Sequence, residues 1–72
     1  MYNLTHSDKI TESKATDLIM DACRANEDRA EWKNEEGFAV SFKLRVDGDY
    51  EAAMRNNEGE VVAIAAVDEF DN

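Results

Sequence analysis

The sequence contains no proline, one cysteine, one histidine and three glycines in 72 residues. Each scarcity excludes something. A lone cysteine cannot close an internal disulfide, so the fold must stand on packing or on association. With one histidine and one cysteine there is no Cys/His cluster at metal-ligand spacing. No phosphate-binding loop and no dinucleotide fingerprint occurs. No apolar run approaches the ~18 residues of a membrane span. The first residues, Met1 to His6, form neither a basic nor an apolar leader, so no secretory signal is expected. Together with the single thiol, this predicts a cytoplasmic protein.

Cations are also few: 8 Lys+Arg stand against 17 Asp+Glu, a formal charge of −9. Neutralising phosphates needs a basic face, so direct nucleic-acid binding is not expected. Anionic membranes are disfavoured for the same reason. The charge is spread along the chain: residues 1–36 contribute −4 and residues 37–72 contribute −5. The acids therefore coat one domain covering residues 1–72, too short for two. An apolar fraction of 43% supplies a core, and its periodicity separates the chain from disordered acidic tails.

Ala15, Leu18, Ile19, Ala22, Cys23, Asn26 and Ala30 follow the spacing of one buried helical stripe. Thr11 is placed to cap this helix, with Ile10 before it able to staple onto Ala15. Trp32 lies in a polar connection and is expected to fold back as a lid on the core. From Phe38 the period becomes two: Phe38, Val40, Phe42, Leu44 and Val46 alternate with smaller or polar residues. A two-residue Asp47-Gly48 turn would set Asp49 and Glu51 on the core face. A three-residue loop, Asp47-Gly48-Asp49, instead pairs Val46 with Tyr50, Leu44 with Ala52 and Phe42 with Met54. At Asn57-Glu58-Gly59 the glycine stands third, where a type I turn with a G1 bulge needs a left-handed residue. That register pairs Met54 with Val62, Ala52 with Ile64 and Tyr50 with Ala66. The expected architecture is α+β: one N-terminal helix on a three-stranded antiparallel meander, in two layers. A short extra strand at Tyr2–Leu4 is left open by the pattern.

In this register the second sheet face presents Ala39, Ser41, Ala53, Val61, Ala63, Ala65 and Val67, with Lys43, Arg45, Glu51 and Arg55 around them. The run Val61–Val67 is apolar on both faces, and in a three-stranded meander it would be a long edge. One helix cannot cover both sides. The face is therefore expected to associate with a second copy or another chain, unless the tail with Phe70 folds over it. The segment Asp47-Gly48-Asp49-Tyr50-Glu51 with Glu58 echoes a calcium loop. Ala52 stands where such a loop needs glycine, and the flanks are strands, so a hairpin with incidental acids is expected and no metal site. Cys23 falls on the buried stripe and His6 near the chain start, without the partners a nucleophile or base requires. No enzyme activity and no cofactor is predicted.

The acids Asp17, Asp21 and Asp28 line one helix face, with Glu31, Glu35 and Glu36 following. Such an array can imitate the spacing of phosphates and occupy a basic groove. In size and charge the chain resembles the small acidic inhibitors of phages and mobile elements, namely DNA mimics and anti-restriction or anti-CRISPR proteins. No motif carries that resemblance, so no residue roles follow from it. It implies a non-enzymatic inhibitor of a basic, nucleic-acid-handling protein. The competing expectation is a homodimeric adaptor whose acidity serves solubility.

Overall fold

A computed structural model describes residues 4–26 and 28–67. In chain order they form β1 (Leu4–His6), α1 (Glu12–Ala25), β2 (Trp32–Lys33), β3 (Ala39–Leu44), β4 (Tyr50–Arg55) and β5 (Val61–Ala66). The five strands make one antiparallel sheet in the order β1-β5-β4-β3-β2, with α1 packed on one face. The α+β expectation holds, but the three-stranded meander is corrected to five strands. Leu4, Thr5 and His6 pair with Ala65, Ile64 and Ala63, so β5 is an interior strand. The expected long edge is thereby paired on both sides. The edges are the short β1 and β2, an arrangement that limits unwanted strand pairing.

α1 starts where the sequence places it. The Thr11 hydroxyl accepts a hydrogen bond from the Lys14 N–H at 3.1 Å, a cap that contributes about 1 kcal/mol. Ile10 and Ala15 are both buried in the core, as the staple requires. The helix ends at Ala25, short of the expected Ala30, which is exposed. Arg29 adopts φ 61 and donates to the carbonyls of Cys23 and Asn26, turning the chain away from the helix axis. Trp32, expected as a lid, instead begins β2 opposite Val40 while its ring packs against the core.

Three turns share one construction. In Asn34–Phe38, Arg45–Asp49 and Asn56–Glu60 the first residue accepts the N–H of the fourth, and its own N–H donates to the carbonyl of the fifth. The fourth residue is a glycine at positive φ each time. Asn57-Glu58-Gly59 is thus the expected loop. The β3–β4 loop is Val46-Asp47-Gly48 and not Asp47-Gly48-Asp49, because the left-handed glycine must stand third. Leu44 consequently pairs with Tyr50, Phe42 with Ala52 and Val40 with Met54. A shift of two residues preserves which face each side chain occupies. Val46, expected on the core face, is in the turn and fully exposed.

The larger correction lies in β5. Arg55 pairs with Val61 as the turn dictates, but Met54 pairs with Ala63, leaving Val62 as the extra residue of a β-bulge. Both Val62 and Ala63 are buried against the helix side. Beyond the bulge the register has slipped by one, so Ala52 meets Ala65 and Ala53 meets Ile64. The core is therefore Ala63, Ala65 and Val67 together with Val40, Ala52, Met54, Ile19, Leu18 and Ala22. Ile64, expected inside, is on the outer face and 38% exposed.

Candidate interaction surfaces

Asp17 and Asp21 are one turn apart on the exposed side of α1. Among the described residues neither is in an ion pair. Asp28 lies past the helix end, where its carboxylate accepts the Ala30 N–H at 3.3 Å, and Glu31 is exposed just before β2. Glu35 and Glu36 occupy the β2–β3 turn at the other end of the helix, tied to its first turn by Glu36 and the Lys14 ammonium at 2.9 Å. The six expected acids are exposed: Asp17 and Asp21 on α1, which is about 21 Å long, and Asp28, Glu31, Glu35 and Glu36 in the connections on either side of β2. They form an extended array, with no cleft to draw them together. The Asn34 and Asn56 side chains hold the acid-bearing turns rigid. Each Oδ1 accepts two backbone N–H groups, from Glu36 and Phe38 in one turn and from Glu58 and Glu60 in the other.

The expected association face is rearranged by the bulge. Ala63, Ala65 and Val67 are buried in the core beneath α1 and offer no surface. Ala53 is half-buried and Val61 is 44% exposed on the outer side. The true outer face carries Lys33, Lys43 and Arg55 around Ser41, Ala53 and Ile64, with Glu51 directly opposite Lys43. Lys33, Lys43 and Arg55 thus sit behind the sheet, while Lys14 and Arg24 are exposed on α1 with Asp17 and Asp21. Strand alternation in the sequence already places Lys43, Glu51 and Arg55 on the outer face; β2 adds Lys33 to it and the β5 bulge adds Ile64. The C-terminal tail with Phe70 lies outside the described residues.

The residues considered for chemistry are dispersed. His6 Nδ1 lies 2.9 Å from the Ser7 carbonyl and 3.0 Å from that of Ile10, so Nδ1 carries a proton and ties the β1–α1 connection together. A shallow depression of about 220 Å³ beside it is lined by Thr5, Ser7 and Val61 to Ile64. Cys23 is buried within the core at 4% exposure, far from that depression in the fold. Asp47 and Asp49 are at one end of β4 and Glu58 at the other, so the calcium-loop echo is pulled apart. Among the described residues no three His, Cys, Asp or Glu side chains converge on a point that could hold a metal ion. No described helix is long and apolar enough to cross a membrane.

One ion pair alters its own titration. Lys9 Nζ donates to both Glu60 oxygens at 2.8 and 3.0 Å. That hydrogen bond, helped by the Asn56 amide, holds the Glu60 carboxyl below its ordinary range, and Glu60 in turn raises Lys9. No protein-family model, no curated protein and no solved structure matches the chain.

Proposed function

We propose that the protein is a non-enzymatic binding module whose acidic helix side engages a basic, nucleic-acid-handling protein and inhibits it by occupying the groove meant for phosphates. The observation that supports this is the exposed carboxylate pair on α1. Asp17 and Asp21 stand exposed on α1 with no ion-pairing cation among the described residues, while Lys33, Lys43 and Arg55 lie on the opposite face of the molecule. An approaching cationic surface meets the Asp17 and Asp21 carboxylates midway along the helix, and attraction of opposite charges accelerates and orients association. Rigid Asn-anchored turns place Glu35 and Glu36 at one end of that array. Asp28 and Glu31 extend it at the other.

The test is capture of partners at about 50 and about 500 mM salt, where screening lengths differ about threefold. The wild type is compared with a triple variant carrying Asp17→Lys, Asp21→Lys and Asp28→Lys. Binding should fall steeply with salt and vanish in the variant. Salt-insensitive capture, or capture that survives charge reversal, would sink this reading.

A second reading, a homodimer joined through the outer sheet face, is favoured by Ile64 and Val61, exposed apolar residues on the side that α1 does not cover. Under it, Ile64→Lys abolishes a dimer seen by sedimentation of the wild type; a wild-type monomer at millimolar concentration would dismiss it.

A further inference from the structure

β2 covers β3 only at Ala39 and Val40. Beyond them the preceding segment leaves the sheet, because the Asn26 side-chain amide donates to the carbonyls of Ala30 at 3.0 Å and Glu31 at 3.4 Å and holds them at the end of α1. The consequence for β3 follows from ladder geometry. Alternate residues of an antiparallel strand direct their N–H and C=O to opposite neighbours. The Arg45 N–H bonds the Asp49 carbonyl, which turns the odd residues Ser41 and Lys43 toward β4. The Asn34 N–H bonds the Phe38 carbonyl, which turns the even residues the other way. Phe42 and Leu44 therefore aim their backbone donors and acceptors at an edge with no strand beside it among the described residues.

The side chains at this edge have a definite character. Leu44 is 59% exposed and Phe42 half-buried, both on the helix side. Lys43 stands between them on the outer face, which it shares with Lys33. A segment laid along the edge would meet Phe42, whose ring centre lies 5.7 Å from the Arg29 guanidinium, then cationic Lys43 on the other face and apolar Leu44.

We propose that the open edge of β3 binds an extended peptide segment of a partner protein, with Asp or Glu beside Lys43 and apolar residues beside Phe42 and Leu44, as a sixth strand of the sheet. Main-chain bonds to Phe42 and Leu44 supply affinity, and the alternation of side chains supplies selectivity. Charge decides the occupant. Pairing with a second copy, Phe42 against Leu44, would set Lys43 directly against its own counterpart, and like charges in that position destabilise. A lysine at an edge discourages self-pairing for the same reason, while it attracts an acidic strand. This surface is separate from the acidic side of α1, and neither proposal depends on the other.

Amide hydrogen exchange read by NMR tests it, with synthetic heptapeptides that alternate valine with glutamate or valine with lysine. In the free protein Phe42 and Leu44 should exchange quickly while Ser41 and Lys43 are protected. The glutamate peptide should slow Phe42 and Leu44 about tenfold at about 90% occupancy, and the lysine peptide should not. Lys43→Glu, an exposed change that leaves the core intact, should weaken the glutamate peptide about fivefold and favour the lysine peptide. Charge reversal at Asp17, Asp21 and Asp28 should leave this binding in place. The proposal is overturned by no slowing at millimolar glutamate peptide, or by equal slowing with both peptides. Protection of Phe42 and Leu44 without peptide, accompanied by a dimeric mass, would overturn it too, because a second copy would then close the edge.

Discussion

Gly37 and Gly59 hold the same place in two copies of one turn, yet their surroundings differ. A Cβ on Gly59 would meet open space, whereas one on Gly37 would lie 2.8 Å from the Asn57 Cβ. The β2–β3 and β4–β5 turns sit side by side at one end of the sheet, and only a hydrogen fits between them. Both glycines have positive φ, 93 and 84, so alanine is strained at either by about 1 kcal/mol. Gly37→Ala must also displace the neighbouring turn. It is expected to cost about 1–3 kcal/mol more than Gly59→Ala, in the range of overpacking, as read from urea midpoints at constant slope. Equal losses for the two variants would mean that the turns do not touch.

Within the strands, register is the quantity that mutation can read. Ile64 is on the outer face and Ala65 is 1% exposed beneath α1. Ile64→Lys should change stability by less than about 0.5 kcal/mol, whereas Ala65→Lys buries a charge in a filled core and should unfold the protein or cost more than about 3 kcal/mol. The opposite ranking in thermal melts would restore the register without a bulge. The elements that the sequence reveals are those with a chemical marker: Thr11 for the helix start, the alternation of Val40 and Phe42 for β3, and Gly59 for the last turn. The elements it hides lack one. Val61–Val67 is apolar at every position, so no polar residue announces which face is outside, and Val62 can bulge without a sequence signature. β1 and β2 are too short to show a period, and the pairing of β1 is set by a partner distant in the chain. The acidic side was readable because charges avoid burial, and so was the outer position of Lys43 and Arg55, because strands alternate; the open β3 edge was not, because it depends on where β2 leaves the sheet.

At the scale of the molecule, charge acts mainly through self-repulsion. The pairs Lys9–Glu60, Lys14–Glu36 and Arg45–Asp47 are all exposed, and such pairs contribute little. With a charge of −9, adding salt from about 20 to about 500 mM at pH 7 should raise Tm by screening repulsion more than it weakens the pairs. A fall in Tm would show the pairs to dominate. The Lys9–Glu60 pair gives a pH signature against this background. Because Glu60 titrates below its unfolded value, its stabilisation is present above the usual carboxylate range and is lost as pH falls through the folded pKa. Lys9, raised above 10.5, keeps its contribution until pH rises through its own folded pKa. The difference in Tm between wild type and Glu60→Gln should be greatest at neutral pH, vanish in strong acid, and shrink with salt. A difference constant from pH 3 to 7 would contradict the pairing.

The pairing of β1 with β5 has a temporal meaning for the chain. Leu4 finds Ala65 only after α1 and β2 to β5 have been synthesised, so β1 waits longer for its partner than any other described strand. On the ribosome, the emerging chain holds Leu4 with no β5 to receive it, and β3 can pair with β4 before the β1 edge of the sheet has a partner.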